Sequence, residues 1–204
     1  MLTKYFYLVL LLLPLAQAKV SFQYFLDVQG VRGGIENAIA AQGNLFLTYE
    51  ALKEDSHWKA SLLGAHGESP AEYVGDLQTT SNLDIGSVET FKVFELYYEY
   101  QFNHFKLLAG MFDLASEFNV SEPAVLFIHS SPGTSAELAA AGLYGTAFNP
   151  FSAMSVRFHI DLSHNIYFKS AMTDATPFDP DNPFGTQFSF GSVDGSFYIH
   201  ELAY

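Results

Sequence analysis

Apolar and polar side chains alternate along residues 152–162 with a period of two. One parity consists of Met154, Val156, Phe158, Ile160 and Leu162, and the other of Ser155, Arg157, His159 and Asp161. A period of two places the two sets on opposite faces of a β-strand. One face then suits hydrocarbon and the other suits water, which is the chemistry of a strand that crosses a membrane within a closed barrel.

Seven further segments show the same alternation, the last of them more weakly. They are residues 20–28, 39–52, 57–65, 90–102, 105–113, 165–173 and 196–204. In the fourth of these, Phe94, Tyr98 and Phe102 share the parity that we expect to face lipid, while Glu95 and Glu99 share the opposite parity. The pattern predicts an all-β protein, a transmembrane antiparallel β-barrel with about eight strands.

Connection lengths alternate along this predicted strand order. Short turns at 53–56, 103–104 and 163–164 alternate with long connections at 67–89, 114–151 and 174–195. Short turns at one end and long loops at the other are typical of outer-membrane barrels, whereas a soluble sandwich has no systematic reason to segregate them. Two alternatives stay open: a small, non-conducting structural or adhesive outer-membrane barrel, and a soluble periplasmic sugar-binding β-sandwich.

Residues 1–18 have the features of a cleaved signal peptide. Lys4 supplies a positive charge, residues 5–13 form an apolar core, and Ala16 and Ala18 give a small-x-small cleavage pattern. We therefore expect export into the envelope of a Gram-negative cell, with a single β-barrel domain over residues 19–204.

Composition excludes several classes of function. The net charge of −13 disfavours binding to nucleic acid, because phosphates require Lys and Arg partners. The absence of cysteine excludes a disulfide framework and a thiolate metal site. The chain has no H-E-x-x-H motif, and the S-x-x-K match at 56–59 lacks its companion motifs. We predict no enzyme activity, no metal site and no cofactor.

Five short segments carry a more specific signal. They read YVGDLQTTSNLDI at 73–85, FELYYE at 94–99, LAGMFD at 108–113, SEFNVSE at 116–122 and LFIHSS at 126–131. Their order and spacing resemble the carbohydrate-selective porin family of the OprB type, from about Val20 to Tyr204. The resemblance implies an outer-membrane porin that lets carbohydrates diffuse across the membrane.

The same resemblance implies further features. The family forms sixteen-stranded barrels roughly twice as long as this chain, so we expect the N-terminal half of such a barrel, incomplete at its C-terminus. It also implies contact with outer-membrane lipid, assembly as a homo-oligomer of the trimeric kind, and an inward-folding constriction loop within residues 114–151.

Neutral sugars offer hydroxyl groups and apolar ring faces, so a selective channel needs polar side chains and aromatic rings. The candidate sugar-binding residues are Asp76, Gln78, Asn82, Asp113, Glu117, Asn119, Glu122 and, for ring stacking, Phe118. The candidate pore-lining residues are Glu95, Glu99, Arg157, Asp161 and Lys169, with Glu201 on the same parity. For each loop residue the alternative role is to cap a turn or to cross-link two loops.

Overall fold

The computed structural model of the protein contains one antiparallel sheet of eight strands. It describes residues 17–75, 79–86, 89–127, 129–130, 132–141, 145–177, 182, 185–188 and 195–204. The strands are β1 (Ala18–Val31), β2 (Ala38–Lys53), β3 (Ser56–Gly67), β4 (Thr90–Phe102), β5 (Phe105–Phe112), β6 (Ala153–Ser163), β7 (Ile166–Asp174) and β8 (Ser196–Ala203). The all-β prediction is confirmed, and every predicted strand overlaps an observed one.

Helices are few and short in the described part of the chain. They are the α-helical turns α1 (Ala71–Val74) and α2 (Ala136–Ala139) and the 3-10 helices Leu114–Ser116 and Glu122–Leu126. None of the helices in these ranges has both the length and the apolar character needed to cross a membrane.

Each strand pairs with its neighbours in sequence, so the sheet runs in order from β1 to β8. Within the described ranges no pairing joins β8 to β1, and the sheet is therefore open. The connections at one end are residues 54–55, 103–104 and 164–165, and those at the other end are 32–37, 68–89, 113–152 and 175–195. The predicted segregation of short turns from long loops is confirmed.

The two faces of the sheet differ in chemistry. Glu99, Leu108 and Arg157 are aligned across β4, β5 and β6, and they define the face that we call the inner face. The opposite, outer face exposes large apolar side chains, among them Val20, Phe22, Leu26, Leu47, Phe102, Leu107 and Val156. A face of exposed aliphatic and aromatic groups suits contact with hydrocarbon.

One bulge changes the face assignment within β4. The register against β3 passes from Glu95 directly to Val93, so Phe94 is an extra residue in this strand. Phe94 is only 5% exposed, and its ring centroid lies 5.9 Å from that of Phe46 on the inner face of β2. The expectation that Phe94 faces lipid is therefore wrong, because the bulge shifts the alternation at this point.

The long connection between β5 and β6 packs back onto the inner face. Its residues Leu114, Phe118 and Ala147 join Leu108, Phe112, Ala153 and Ala171 in one buried apolar cluster. Removing these side chains from water provides the free energy that holds the loop inward. The predicted inward packing is thus confirmed for Leu114, Phe118 and Ala147, and the role of this loop as a constriction stays a prediction.

Candidate functional site

Residues 113–119, which we call the inner segment, lead from the end of β5 onto the inner face. The Asp113 carboxylate caps the first 3-10 turn by accepting the backbone N–H of Ala115 at 2.9 Å. The backbone N–H of Leu114 donates to the carbonyl oxygen of Ala147 at 2.7 Å. A cap of this kind fixes the direction in which the chain leaves the strand.

Arg157 in β6 joins the inner segment to the sheet. Its Nη2 lies 2.5 Å from Glu99 Oε2 in β4, and its Nε lies 3.1 Å from Glu117 Oε2 in the inner segment. Arg157 is 3% exposed, so its charge is almost fully withdrawn from water. A buried cation requires such carboxylate partners, because the loss of hydration would otherwise be uncompensated.

A second set of contacts holds the end of the inner segment. Glu201 in β8 accepts the backbone N–H of Asn119 at 2.8 Å and pairs with Lys169 Nζ at 3.1 Å. Lys169 also donates to the carbonyl oxygen of Glu117, and its Nζ lies 5.4 Å from the centroid of the Phe118 ring. Asn119 has a φ of +58°, a left-handed conformation that asparagine adopts more readily than most residues.

The remaining candidate pore-lining acids also lie on the inner face. Glu95 Oε2 is 2.7 Å from Lys59 Nζ of β3, and Glu95 is buried. Asp161, near the end with short turns, is exposed, and its Oδ1 lies 2.9 Å from His159 Nε2. The inner face therefore carries acidic and basic groups that are largely paired with one another.

Asp113 has an unusual ionisation equilibrium. The residue keeps some exposure, but burial of its carboxyl group raises its pKa to about 7, and the negative charge of Glu95 adds to the increase. Hydrogen bonds from backbone N–H groups, including that of Ala115, act in the opposite direction. Near neutral pH, the Asp113 carboxyl group that caps the inner segment is thus partly protonated and partly ionised.

The structure brings some of the candidate sugar-binding residues together and separates others. Glu117 and Asn119 lie in the inner segment, next to Glu99 and Lys169 of the sheet. Asn82 lies elsewhere and donates from Nδ2 to the carbonyl oxygen of Phe127 at 3.0 Å, so it cross-links two loops. Asp76, Gln78 and the side chain of Glu122 lie outside the described part of the chain.

Phe118 is in a position that corrects its predicted role. It is 1% exposed and belongs to the buried cluster that contains Leu108 and Leu114. Its ring therefore has no open face against which a sugar could stack. Phe118 instead contributes to the packing that holds the inner segment in place.

Sequence reasoning missed an aromatic row on the other half of the inner face. The Phe25 and Phe46 ring centroids are 6.2 Å apart, and Phe46 in turn contacts Phe94 edge to face. The inward parity of Phe25 was readable from the sequence. The place of Phe94 in the row was not readable, since it depends on the bulge in β4.

Comparison with known proteins identifies the family. Residues 51–204 match the family model described as carbohydrate-selective porin, OprB family. The chain belongs to this family. No protein in the curated collection matches the sequence.

A solved structure supports the family's fold. The chain is similar to the high-pH structure of OprB from Pseudomonas putida, with a TM-score of 0.72 and 12% sequence identity. The similar region covers 91% of this chain and 47% of that chain, so this chain spans about half the length of the solved structure. At this level of identity the likeness establishes the fold of the sheet.

Proposed function

We propose that the chain forms part of the wall of an outer-membrane channel through which carbohydrates diffuse without chemical conversion. Membership of a porin family supports a channel and gives no support to an enzyme. One observation carries the proposal: Glu117 and Asn119 are held over the polar inner face by Arg157 and Glu201. In a closed barrel, a loop held in this way would narrow the space inside the wall.

The charged groups around the inner segment have the chemistry to exchange hydrogen bonds with sugar hydroxyls. The side chains of Glu99, Glu117 and Glu201 each remain 20% to 24% exposed although they are ion-paired. A carboxylate has about four acceptor sites, so each can accept a hydroxyl proton while it keeps its basic partner. Glu99, Arg157 and Lys169 would line the narrow region, with Glu95 and Asp161 above and below it.

The outer face supports placement in the outer membrane. Its exposed apolar side chains, such as Phe22, Leu107 and Val156, would contact the acyl chains of the lipid. Export by a cleaved leader over residues 1–18 and assembly as a trimer are parts of the same proposal. Because this chain spans about half of the similar OprB structure, the rest of the wall would come from further strands.

Conductance in planar lipid bilayers tests the proposal. We expect open-channel current that falls reversibly when a monosaccharide is added. Glu117→Ala should change this sugar block while the protein still assembles, and Glu137→Ala, an exposed acid in α2 of the same long loop, should leave the block unchanged. Absence of current would contradict the channel, and lost assembly with unchanged block would give Glu117 a purely structural role.

A further inference from the structure

The inner face of β1 and β2 carries a patch of rings and neutral polar groups away from the inner segment. Its three consecutive cross-strand pairs are Ser21 with Thr48, Gln23 with Phe46, and Phe25 with Asn44. We propose that this patch, called the β1–β2 patch below, binds the pyranose ring of a neutral sugar. The inference rests on the proposed function, because in a membrane a sugar can reach the patch only if the inner face lines the channel.

Two aromatic rings provide the apolar part of the patch. Phe25 is 39% exposed, and its ring meets that of Phe46 at an interplanar angle of 73°. Phe46 is fixed on its other side by the buried ring of Phe94. Phe25 is thus the exposed end of a row of three rings, and the buried ring of Phe94 is its other end. The C–H face of a pyranose is apolar and packs on such a ring.

Polar groups that make no hydrogen bond within the described chain flank this ring. Gln23 is exposed, and the residues Ser21 and Thr48 are partly exposed. Neighbouring positions on one face of a strand are roughly 7 Å apart, so a ring-sized ligand over Phe25 reaches the amide of Gln23. The amide offers both donors and an acceptor, which match the dual character of a sugar hydroxyl.

Two buried amide side chains near the rings also have atoms without a hydrogen-bond partner in the described part of the chain. Asn44 is 1% exposed; its Nδ2 donates to the carbonyl oxygen of Leu83 at 2.7 Å, but its Oδ1 accepts no hydrogen bond. Both amide atoms of Gln42, the next inner-face residue along β2, also lack a partner within the described structure. Unpaired buried amide groups are costly, and a bound water molecule usually supplies the missing hydrogen bond.

The patch itself carries no charged side chain, which suits a neutral ligand. None of the residues at positions 21, 23, 25, 44, 46 and 48 is ionisable; the nearest charged residues on this face are Asp27, beyond Phe25, and the pair of Lys19 and Glu50, beyond Ser21 and Thr48. The charged partners of the inner segment lie farther away in the strand order, on β4, β6, β7 and β8. The patch also precedes residues 51–204, which are the part matched by the family model. It is therefore separate from Glu117 and its partners, and it would give the channel a second contact with a passing sugar.

Saturation-transfer NMR with the full chain in detergent micelles tests this inference, using D-glucose as probe and the acyclic polyol D-sorbitol as control. We expect transfer to glucose and little transfer to sorbitol, since only glucose presents a ring face. Phe25→Ala should weaken glucose binding by about threefold to tenfold, the range expected for one lost ring contact. Phe25→Trp should restore it, and Phe22→Ala on the outer face should leave it unchanged.

Equal transfer to glucose and sorbitol, or undiminished glucose binding by a folded Phe25→Ala protein, would overturn the inference. Folding of each variant is checked by the heat-dependent shift of its gel mobility, and Gln23→Ala gives a second variant in which both rings remain. Because the NMR signal does not depend on conduction, absent current in bilayers would defeat the channel alone. Glucose binding that is the same with and without the Phe25 ring would defeat the β1–β2 patch alone.

Discussion

Arg157 binds Glu99 of the sheet and Glu117 of the long loop at the same time, through Nη2 at 2.5 Å and Nε at 3.1 Å. Glu99 and Arg157 are separated by β5, where Leu108 is aligned with both. The guanidinium group therefore reaches across β5 to Glu99 in the sheet, and it extends away from the sheet to Glu117 in the loop. The planar, always-charged guanidinium suits this double role better than an ammonium group.

Removing Arg157 should destabilise the protein. Arg157→Gln leaves two carboxylates facing each other without a cation, and we expect a loss of about 2–4 kcal/mol in the free energy of unfolding. Urea unfolding in lipid vesicles measures this loss. Lys106→Gln, on the inner face of β5, is the control, because within the described residues Lys106 makes no ion pair, and it should cost less than about 0.5 kcal/mol. Equal losses for both variants would contradict the bridging role.

A charge on the outer face should be costly. Val156 is 38% exposed on the outer face of β6, and Val156→Arg should cost about 2–4 kcal/mol if the residue lies near the midplane of the bilayer. Val156→Leu keeps the site apolar and should change stability by less than about 1 kcal/mol. The same vesicle-based unfolding gives both values. A folded Val156→Arg protein of unchanged stability would mean that this face meets water.

Gly110 in β5 should resist substitution. Its φ is +138°, and an added Cβ would lie 2.6 Å from the Cα of Tyr97 in β4. We expect Gly110→Ala to cost about 1–3 kcal/mol through backbone strain and this close approach. Gly30→Ala in β1 is the matched control, because no atom lies within 4 Å of its added Cβ. A cost at Gly110 no larger than at Gly30 would contradict the packing of Tyr97 over this position.

Asp113 should make stability depend on pH. Its folded-state pKa of about 7 exceeds the ordinary pKa of an aspartate side chain, 3.8, so the folded protein holds the proton more tightly than the unfolded chain. The contribution to the free energy of unfolding is greatest below about pH 4 and falls as pH rises to about 7, by on the order of 2–4 kcal/mol. Asp113→Asn keeps a capping side chain and should flatten this slope. Identical slopes for both proteins would show that the carboxyl group is not desolvated.

The strands were predictable because apolar and polar side chains alternate with a period of two within each of them. Residues 90–102 were predicted as a strand and coincide with β4, and residues 105–113 exceed β5 by only one residue. Local alternation is sufficient for this result, since one buried or wet face fixes the parity of each segment. The prediction that the loop after β5 folds inward was based on the family resemblance and on the length of the loop.

The site was less predictable because its contacts are long-range. Glu117 and Arg157 meet only when three strands and a loop are in register, and no local pattern reports such a pair. The same holds for Phe118, whose place in a loop gave no sign that it would be buried. At Phe94 a single bulged residue reversed the parity, which alternation alone cannot indicate.

Thiol accessibility at two adjacent positions tests the central claim that the inner face is wet and the outer face meets lipid. Leu47 and Thr48 lie mid-way along β2 on the outer and inner face respectively, and the chain has no cysteine of its own. Single substitutions Leu47→Cys and Thr48→Cys, reconstituted in lipid vesicles, are treated with a charged, water-soluble methanethiosulfonate. We predict fast labelling of Thr48→Cys and protection of Leu47→Cys. Equal labelling of the two, or labelling of Leu47→Cys alone, would contradict the account.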